Sequence, residues 1–119
     1  MLGLAAIVGH MFGDYVLQNG WMAMNKGKRG VALLVHCLLY TLSCWGVLLF
    51  VGVSLPAWAI LVVFWGHAAL DGSSVVAWFW GKWNGTDPKT IPLFLRILID
   101  NTIHLATLLV VLVLMGGLT

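Results

Sequence analysis

The sequence predicts an all-α, polytopic membrane protein in which about four transmembrane helices form a compact bundle. Hydrophobic residues make up 61% of the 119 residues, charged residues only 8%, and the mean hydropathy is +1.01. These values are typical of membrane proteins and lie outside soluble averages. Because a transmembrane helix needs about 20 apolar residues, we expect a single domain over residues 1–119. Its predicted spans are 2–18, 31–53, 56–80 and 91–115.

The first predicted span is short for a complete crossing. Its three glycines, Gly3, Gly9 and Gly13, favour either close contact with a neighbouring helix or an incomplete crossing. No basic region or cleavage motif precedes its polar residues, so we expect the segment to be retained rather than cleaved as a signal peptide. These polar residues recur every four positions and therefore share one helical face; they are His10, Asp14 and Gln18.

The second and third predicted spans carry histidines in otherwise apolar sequence. His36 lies near the start of the second span, four residues before Tyr40. The third span begins at a proline, which the first turn of a helix tolerates, and it carries His67 and Asp71 in its second half.

The fourth predicted span contains a basic, an acidic, an amide and an imidazole side chain, from Arg96, Asp100, Asn101 and His104. Arg96 precedes Asp100 by four residues, so it either neutralises that carboxylate or extends to the membrane surface.

All fixed positive charges lie in or beside the first and third loops. The positive-inside rule therefore predicts that these loops are cytoplasmic and that both termini are outside. We expect the cations to contact membrane lipid headgroups and not nucleic acid. They are Lys26, Lys28, Arg29, Lys82, Lys89 and Arg96.

Three of the four histidines have an aspartate four residues away, which is more often than random placement would give. Counted from the cytoplasmic ends of the predicted helices, these pairs and His36 fall in the same half of the membrane. We therefore expect one inward-facing cluster. Each carboxylate at this depth costs about 2.5–3.5 kcal/mol unless it is paired, protonated or bound to a cation.

We interpret this cluster as a site for one or two divalent transition-metal ions, with zinc, manganese or iron favoured by its imidazole and carboxylate donors. Because the donors exceed what one tetrahedral ion needs, either two ions bind or some aspartates orient ligating histidines. A proton or ion relay and structural hydrogen bonding are the alternatives. The candidate ligands are His10, Asp14, His36, His67, Asp71, Asp100 and His104.

The function predicted from this cluster is metal-dependent hydrolysis of a phosphorylated lipid or similar amphiphile. Two divalent ions would exceed the charge of three carboxylates and would favour an anionic substrate. The chain contains no glutamate, so the candidate catalytic bases are Asp14, Asp71 and Asp100, or a metal-bound hydroxide. The candidate substrate-binding residues are Gln18, Asn101, Lys26 and Arg96.

Two other functions stay open: transport or relay of protons or metal ions through the same cluster, and a small phage-type membrane protein. The outer halves of the second and fourth spans are almost entirely apolar. This disfavours a polar path across the membrane in a monomer, although a homo-oligomer could build one.

These motifs resemble the family of small bacterial and phage inner-membrane proteins known as domain of unknown function 3307. The first-helix motif of that family, H-x-x-G-D-[FY]-x-x-Q, is present from His10 to Gln18, and Met22, Ala23 and Lys26 match the segment after it. The histidine of its second helix, the H-x-x-x-D of its third and the D-Q-x-x-H of its fourth are matched by His36, by His67 with Asp71, and by Asp100 with His104.

The chain departs from this family pattern at two places. Asn101 replaces the usual glutamine, and Gly72, Ser73 and Ser74 stand where the family often has a basic residue. The resemblance implies a multi-pass protein of the bacterial inner membrane. The motif set is also similar to that of membrane-bound, metal-dependent hydrolases, although the family itself implies no particular reaction.

Overall fold

A computed structural model describes residues 1–116 of the chain, and within that range it confirms an all-α bundle. The predicted domain 1–119 includes residues 117–119, which lie outside the described part. The helices are α1 (Leu2–Met11), α2 (Gly20–Asn25), α3 (Val31–Phe50), α4 (Ala57–Asp71), α5 (Val75–Asn84) and α6 (Leu93–Leu114). A π-helix (Phe12–Val16) continues α1, and short 3₁₀ turns occur at Lys26–Lys28 and Pro88–Thr90.

Glycines allow α1 to lie against the backbone of α3. A Cβ atom on Gly9 would stand 2.9 Å from Cys44 Cα, and one on Gly13 would stand 2.9 Å from Tyr40 Cα. Real side chains do not tolerate such distances to backbone atoms, so only glycine permits this approach. The contact brings the polar face of the first segment onto α3, and the Ser43 hydroxyl donates a 2.9 Å hydrogen bond to the Gly9 carbonyl.

The π-helix that follows α1 contains Asp14 and buries it. π-helical turns are rare and are frequent at functional sites. The sequence predicted a regular helix here. The wider π-helical turn changes the direction in which the Asp14 side chain points relative to His10.

The predicted third span, residues 56–80, is wrong as a single helix. The chain breaks between α4 and α5, and the two helices meet at 59°. At the break Arg29 Nε donates to the Gly72 carbonyl oxygen, and Ser73 Oγ accepts from the Val75 N–H at the start of α5. Asp71 consequently lies at the end of a helix, beside an opening between α4, α5 and α6.

Two of the helices, α3 and α6, are long and apolar enough to cross a membrane, and α4 with α5 gives a third candidate if the bent pair counts as one span. The first segment, Leu2–Val16, is a shorter apolar helix. Many large apolar side chains of α3 and α6 point outward, among them Leu34, Leu38, Leu42, Leu98, Leu109 and Val113.

The apolar core fills the part of the bundle that lies away from the charged loops. It contains Cys44 and Leu48 of α3 and the C-terminal half of α6, including Leu108 and Leu112. Cys37 and Cys44 are free and fully buried, as expected for packing residues. The polar cluster therefore occupies one end of the bundle, and apolar side chains fill the other end.

Candidate metal centre

The four histidines and two of the aspartates meet in the interior. Each of α3, α4, α6 and the first segment contributes side chains to this cluster. The buried members are His10, Asp14, His36, His67, Asp71 and His104, and Asp100 lies at the edge with 31% of its side chain exposed.

Two imidazole nitrogens at the centre of this cluster lie close to each other and to two carboxylate oxygens. The two nitrogens, His36 Nε2 and His67 Nε2, are 2.9 Å apart. His36 Nε2 is 3.2 Å from Asp14 Oδ1 and 3.1 Å from Asp71 Oδ2. His67 Nε2 is 3.4 Å from each of the same two oxygens.

Three of these residues have the spacing of metal ligands, since His36, His67 and Asp71 offer donor atoms that all lie within 4.8 Å of one another. Ligands at about 2.0–2.1 Å from a tetrahedral ion are separated from one another by about 3.3–3.4 Å. Protons satisfy the arrangement poorly, because a carboxylate is an acceptor only and one imidazole N–H can point at only one neighbour. Asp14 Oδ1 is buried and has no hydrogen bond of good geometry within residues 1–116. A cation here would contact the lone pairs of His36, His67 and Asp71, and Asp14 Oδ1 lies near both histidine nitrogens. We call these four residues the tetrahedral set.

Lys26 places a positive charge beside the tetrahedral set. From the sequence, this residue was predicted to bind substrate and to determine the topology. Its Nζ forms an ion pair with Asp71 Oδ2 at 2.9 Å. Of the two alternatives for Arg96, the ion pair with Asp100 is not formed among residues 1–116, and Arg96 lines the groove described below. Loop folding, rather than helical spacing, therefore decides which carboxylate is compensated.

His10 lies beside the tetrahedral set rather than within it. Its Nε2 donates to Asn101 Oδ1 at 2.8 Å, and its Nδ1 is hydrogen-bonded to the Tyr40 hydroxyl at 3.1 Å. Asn101 in turn donates to the Tyr15 hydroxyl. With both ring nitrogens engaged, His10 supports the packing of the first segment next to Asp14, whose Oδ2 is 3.5 Å away.

Tyr40 is a site residue to which the sequence analysis assigned no role. It is buried, it stacks on the His67 ring at 3.7 Å between centroids, and it bonds His10. The available signal was its position four residues after His36, which puts both on one face of α3. It fixes the orientation of one histidine of the tetrahedral set and touches a second histidine beside it.

His104 and Asp100 form the border of the cluster on α6. His104 Nδ1 donates to the Asp100 carbonyl oxygen at 2.8 Å, and His104 Nε2 lies 3.2 Å from Asp71 Oδ1. Asp71 therefore faces the tetrahedral set with one oxygen and His104 with the other.

An open groove of about 500 Å³ adjoins the cluster at Asp71. Lys26, Arg96 and Asp100 line it, whereas two other predicted substrate-binding residues, Gln18 and Asn101, do not. Its remaining walls are apolar or carry hydroxyl groups, and they include Leu70, Ser73, Ser74, Val76, Leu93 and Ile97. The groove thus joins a charged end at the cluster to apolar walls on α5 and α6.

Comparison with known proteins identifies a family but no characterised relative. The family model described as "Protein of unknown function (DUF3307)" matches residues 2–119, which confirms the predicted resemblance, and the chain belongs to this family. Neither a curated protein nor a solved structure matches.

Proposed function

We propose that this DUF3307 protein is a membrane-embedded, metal-dependent hydrolase that acts on a phosphorylated lipid or similar amphiphile. The observation that carries the proposal is the tetrahedral set, in which His36, His67 and Asp71 have metal-ligand spacing and Asp14 lies beside them, next to a groove with cations and apolar walls.

The proposed setting is the bacterial inner membrane, with four apolar segments and both termini outside. In this arrangement α3 and α6 cross fully, α4 and α5 form one bent segment, and the first segment is short. The basic turn at Lys26–Lys28 adjoins the cluster through the ion pair of Lys26 with Asp71, which favours a cytoplasmic position for the cluster.

The proposed ligands of the ion are His36, His67, Asp14 and Asp71, and zinc, manganese or iron suits this mixture of nitrogen and oxygen donors. A divalent ion at the cluster would supply positive charge to a phosphoryl group in the groove, and one with an open coordination position would activate water at neutral pH. The chain's own contribution is rigidity, because the glycine contacts of α1 and the Tyr40 ring hold the donors in place.

The substrate class follows from the groove. Lys26 and Arg96 can hold an anionic headgroup there, while Leu93 and Ile97 contact apolar chains. Because Lys26 also touches Asp71, a group bound at its ammonium lies next to the cluster. Asp100 is the partly exposed carboxylate of the groove and is placed to accept a proton from attacking water.

The test is to measure metal content and hydrolysis on the same preparation. Protein purified in mild detergent without chelator should retain at least one transition-metal ion per chain and should release phosphate from phosphomonoester lipids presented in micelles. His36→Gln should lose both properties, because His36 contacts three of the other donors. Asp87→Asn is the matched control, since Asp87 lies in the exposed loop before α6 and binds only the backbone nearby. A metal-free wild-type protein that hydrolyses the lipid would refute the proposal.

A relay of protons is the second candidate, and one observation favours it. Hydrogen bonds connect Tyr40, beside His67, through His10 and Asn101 to the exposed Tyr15. The apolar core around Leu48 blocks a continuation to the other end of the bundle. Proton flux into proteoliposomes that Asn101→Leu abolishes would support the relay over hydrolysis.

A further inference from the structure

We infer that the centre holds a second divalent cation, bound between Asp71 Oδ1 and His104 Nε2 with Asp100 as a further ligand. The inference rests on the proposed function and refines it, because it assigns one ion to a site with no free coordination position and a second ion to a site that opens onto the groove. The tetrahedral set already supplies four donors, and a four-coordinate ion of this kind keeps no position for substrate or water.

The state of the His104 ring is the first observation. A carbonyl oxygen can only accept, so the 2.8 Å contact with the Asp100 carbonyl requires the proton of His104 to be on Nδ1. This is the arrangement in which protein histidines bind metals, with one nitrogen donating to an oxygen and the other free. His104 Nε2 is buried and has no hydrogen-bond partner within the described residues, although it points at Asp71.

The two-sided contact of Asp71 is the second observation. Its Oδ2 belongs to the tetrahedral set, and its Oδ1 lies 3.2 Å from His104 Nε2. A neutral imidazole nitrogen and a carboxylate oxygen would oppose lone pair to lone pair at this distance. A cation between them removes that repulsion, and Asp71 then bridges two ions, as carboxylates do in two-metal sites.

Asp100 completes the second site and opens it to the groove. Its carboxylate and the donor atoms of Asp71 and His104 all lie within 4.8 Å of one another. Whereas Asp71 has 2% of its side chain exposed, Asp100 has 31% and lines the groove. Three protein donors with one side facing the groove leave coordination positions for an exchangeable ligand.

The open site therefore suits the anionic oxygen of a phosphate group. Two divalent ions and Lys26 together outweigh the charge of the three carboxylates, so an anion is favoured there. The shared chemistry is a phosphate oxygen, whether it belongs to a lipid or to free phosphate. The apolar groove walls at Leu93 and Ile97 distinguish the two, because only a lipid would contact them.

The experiment counts ions and measures their coupling in the full chain in detergent. Manganese-loaded protein should contain two ions per chain and give the electron paramagnetic resonance spectrum of a spin-coupled pair. His104→Gln and Asp100→Asn should each contain one uncoupled ion, and Asp87→Asn should behave like the wild type. Asp100→Asn keeps the size of a partly exposed side chain, so it tests the site even if His104→Gln fails to fold.

Each outcome separates this inference from the proposed function. One ion in the wild type, retained in His104→Gln and Asp100→Asn, would overturn the second site and leave the first intact, with His104 then a protonated partner of Asp71. If neither the wild type nor any variant contained an ion, both the second site and the proposed function would be overturned.

The phosphate ligand is tested with manganese-induced broadening of the ³¹P signal. Free phosphate and a short-chain phosphomonoester lipid should both be broadened by the wild type and not by Asp100→Asn. Leu93→Gln should weaken broadening of the lipid at least fivefold and leave free phosphate unchanged. Equal broadening by wild type and Asp100→Asn would refute phosphate binding at the second site, and an unchanged lipid signal in Leu93→Gln would refute a lipid source.

Discussion

The contact between α1 and α3 makes Gly9 a sharp test of how the bundle is assembled. Replacing Gly9 by alanine places a Cβ atom 2.9 Å from Cys44 Cα and 3.5 Å from the Ser43 carbonyl oxygen. Because these are backbone atoms of a long helix, no side-chain rotation relieves the clash, and α1 must move away. Overpacking of this kind costs about 1–3 kcal/mol.

Gly3→Ala is the matched control for this change, since a Cβ on Gly3 meets nothing within 4 Å in the same helix. Both substitutions gain helix propensity of up to about 1 kcal/mol, so that gain cancels when the two variants are compared. We therefore expect the free energy of unfolding of Gly9→Ala to be lower than that of Gly3→Ala by about 1–3 kcal/mol.

The assay is denaturant titration of both variants in mild detergent, with chelator present so that metal affinity does not contribute. A second readout is metal content without chelator, which should fall in Gly9→Ala because α1 carries Asp14 in its continuation. Equal unfolding free energies for Gly9→Ala and Gly3→Ala would refute the close helix contact as the basis of the bundle.

Three further predictions concern the cluster and its orientation. Chelation should lower the free energy of unfolding of metal-loaded protein by about 2.7 kcal/mol if the free ion stood at 100 times its Kd, as measured by thermal unfolding; an unchanged melting curve would argue against a bound ion. The double variant Asp14→Ala with His67→Ala should cost much less than the sum of the single variants, because both serve one site, whereas additive losses would indicate local hydrogen bonds only. A cysteine introduced at Lys28 should react with an impermeant maleimide only from the cytoplasmic side, and labelling of intact cells from outside would reverse the proposed topology.

The sequence was sufficient to predict the helical class and the residues of the cluster. Hydropathy reports whether a segment can be buried in hydrocarbon, and an i,i+4 spacing reports which side chains share a face, so both are readable without coordinates. His67 and Asp71 illustrate this, because they lie four apart on α4 and both enter the tetrahedral set. The family assignment followed from the same motifs.

The break in the predicted third span is not visible in the hydropathy of the sequence, because hydropathy is averaged over a window of residues. Asp71, Gly72, Ser73 and Ser74 form a short polar stretch between apolar residues, so a hydropathy window passes over them. Whether such a segment stays helical depends on contacts with other helices. Here Arg29, in the loop before α3, donates to the Gly72 carbonyl, and that contact requires the folded chain.

The tertiary structure alone decided which donors form the tetrahedral set. By sequence, His10 has an aspartate four residues away and His36 has none, yet His36 contacts three donor atoms and His10 is bonded to Asn101 and Tyr40. The π-helical turn at Asp14 and the close approach of α1 to α3 place His36, rather than His10, in the tetrahedral set. Spacing along one helix determines only which side chains share a face. Distances of about 3 Å between donors on different segments depend instead on how the helices pack, and a metal site requires that packing to be accurate to a fraction of a metal–ligand bond length.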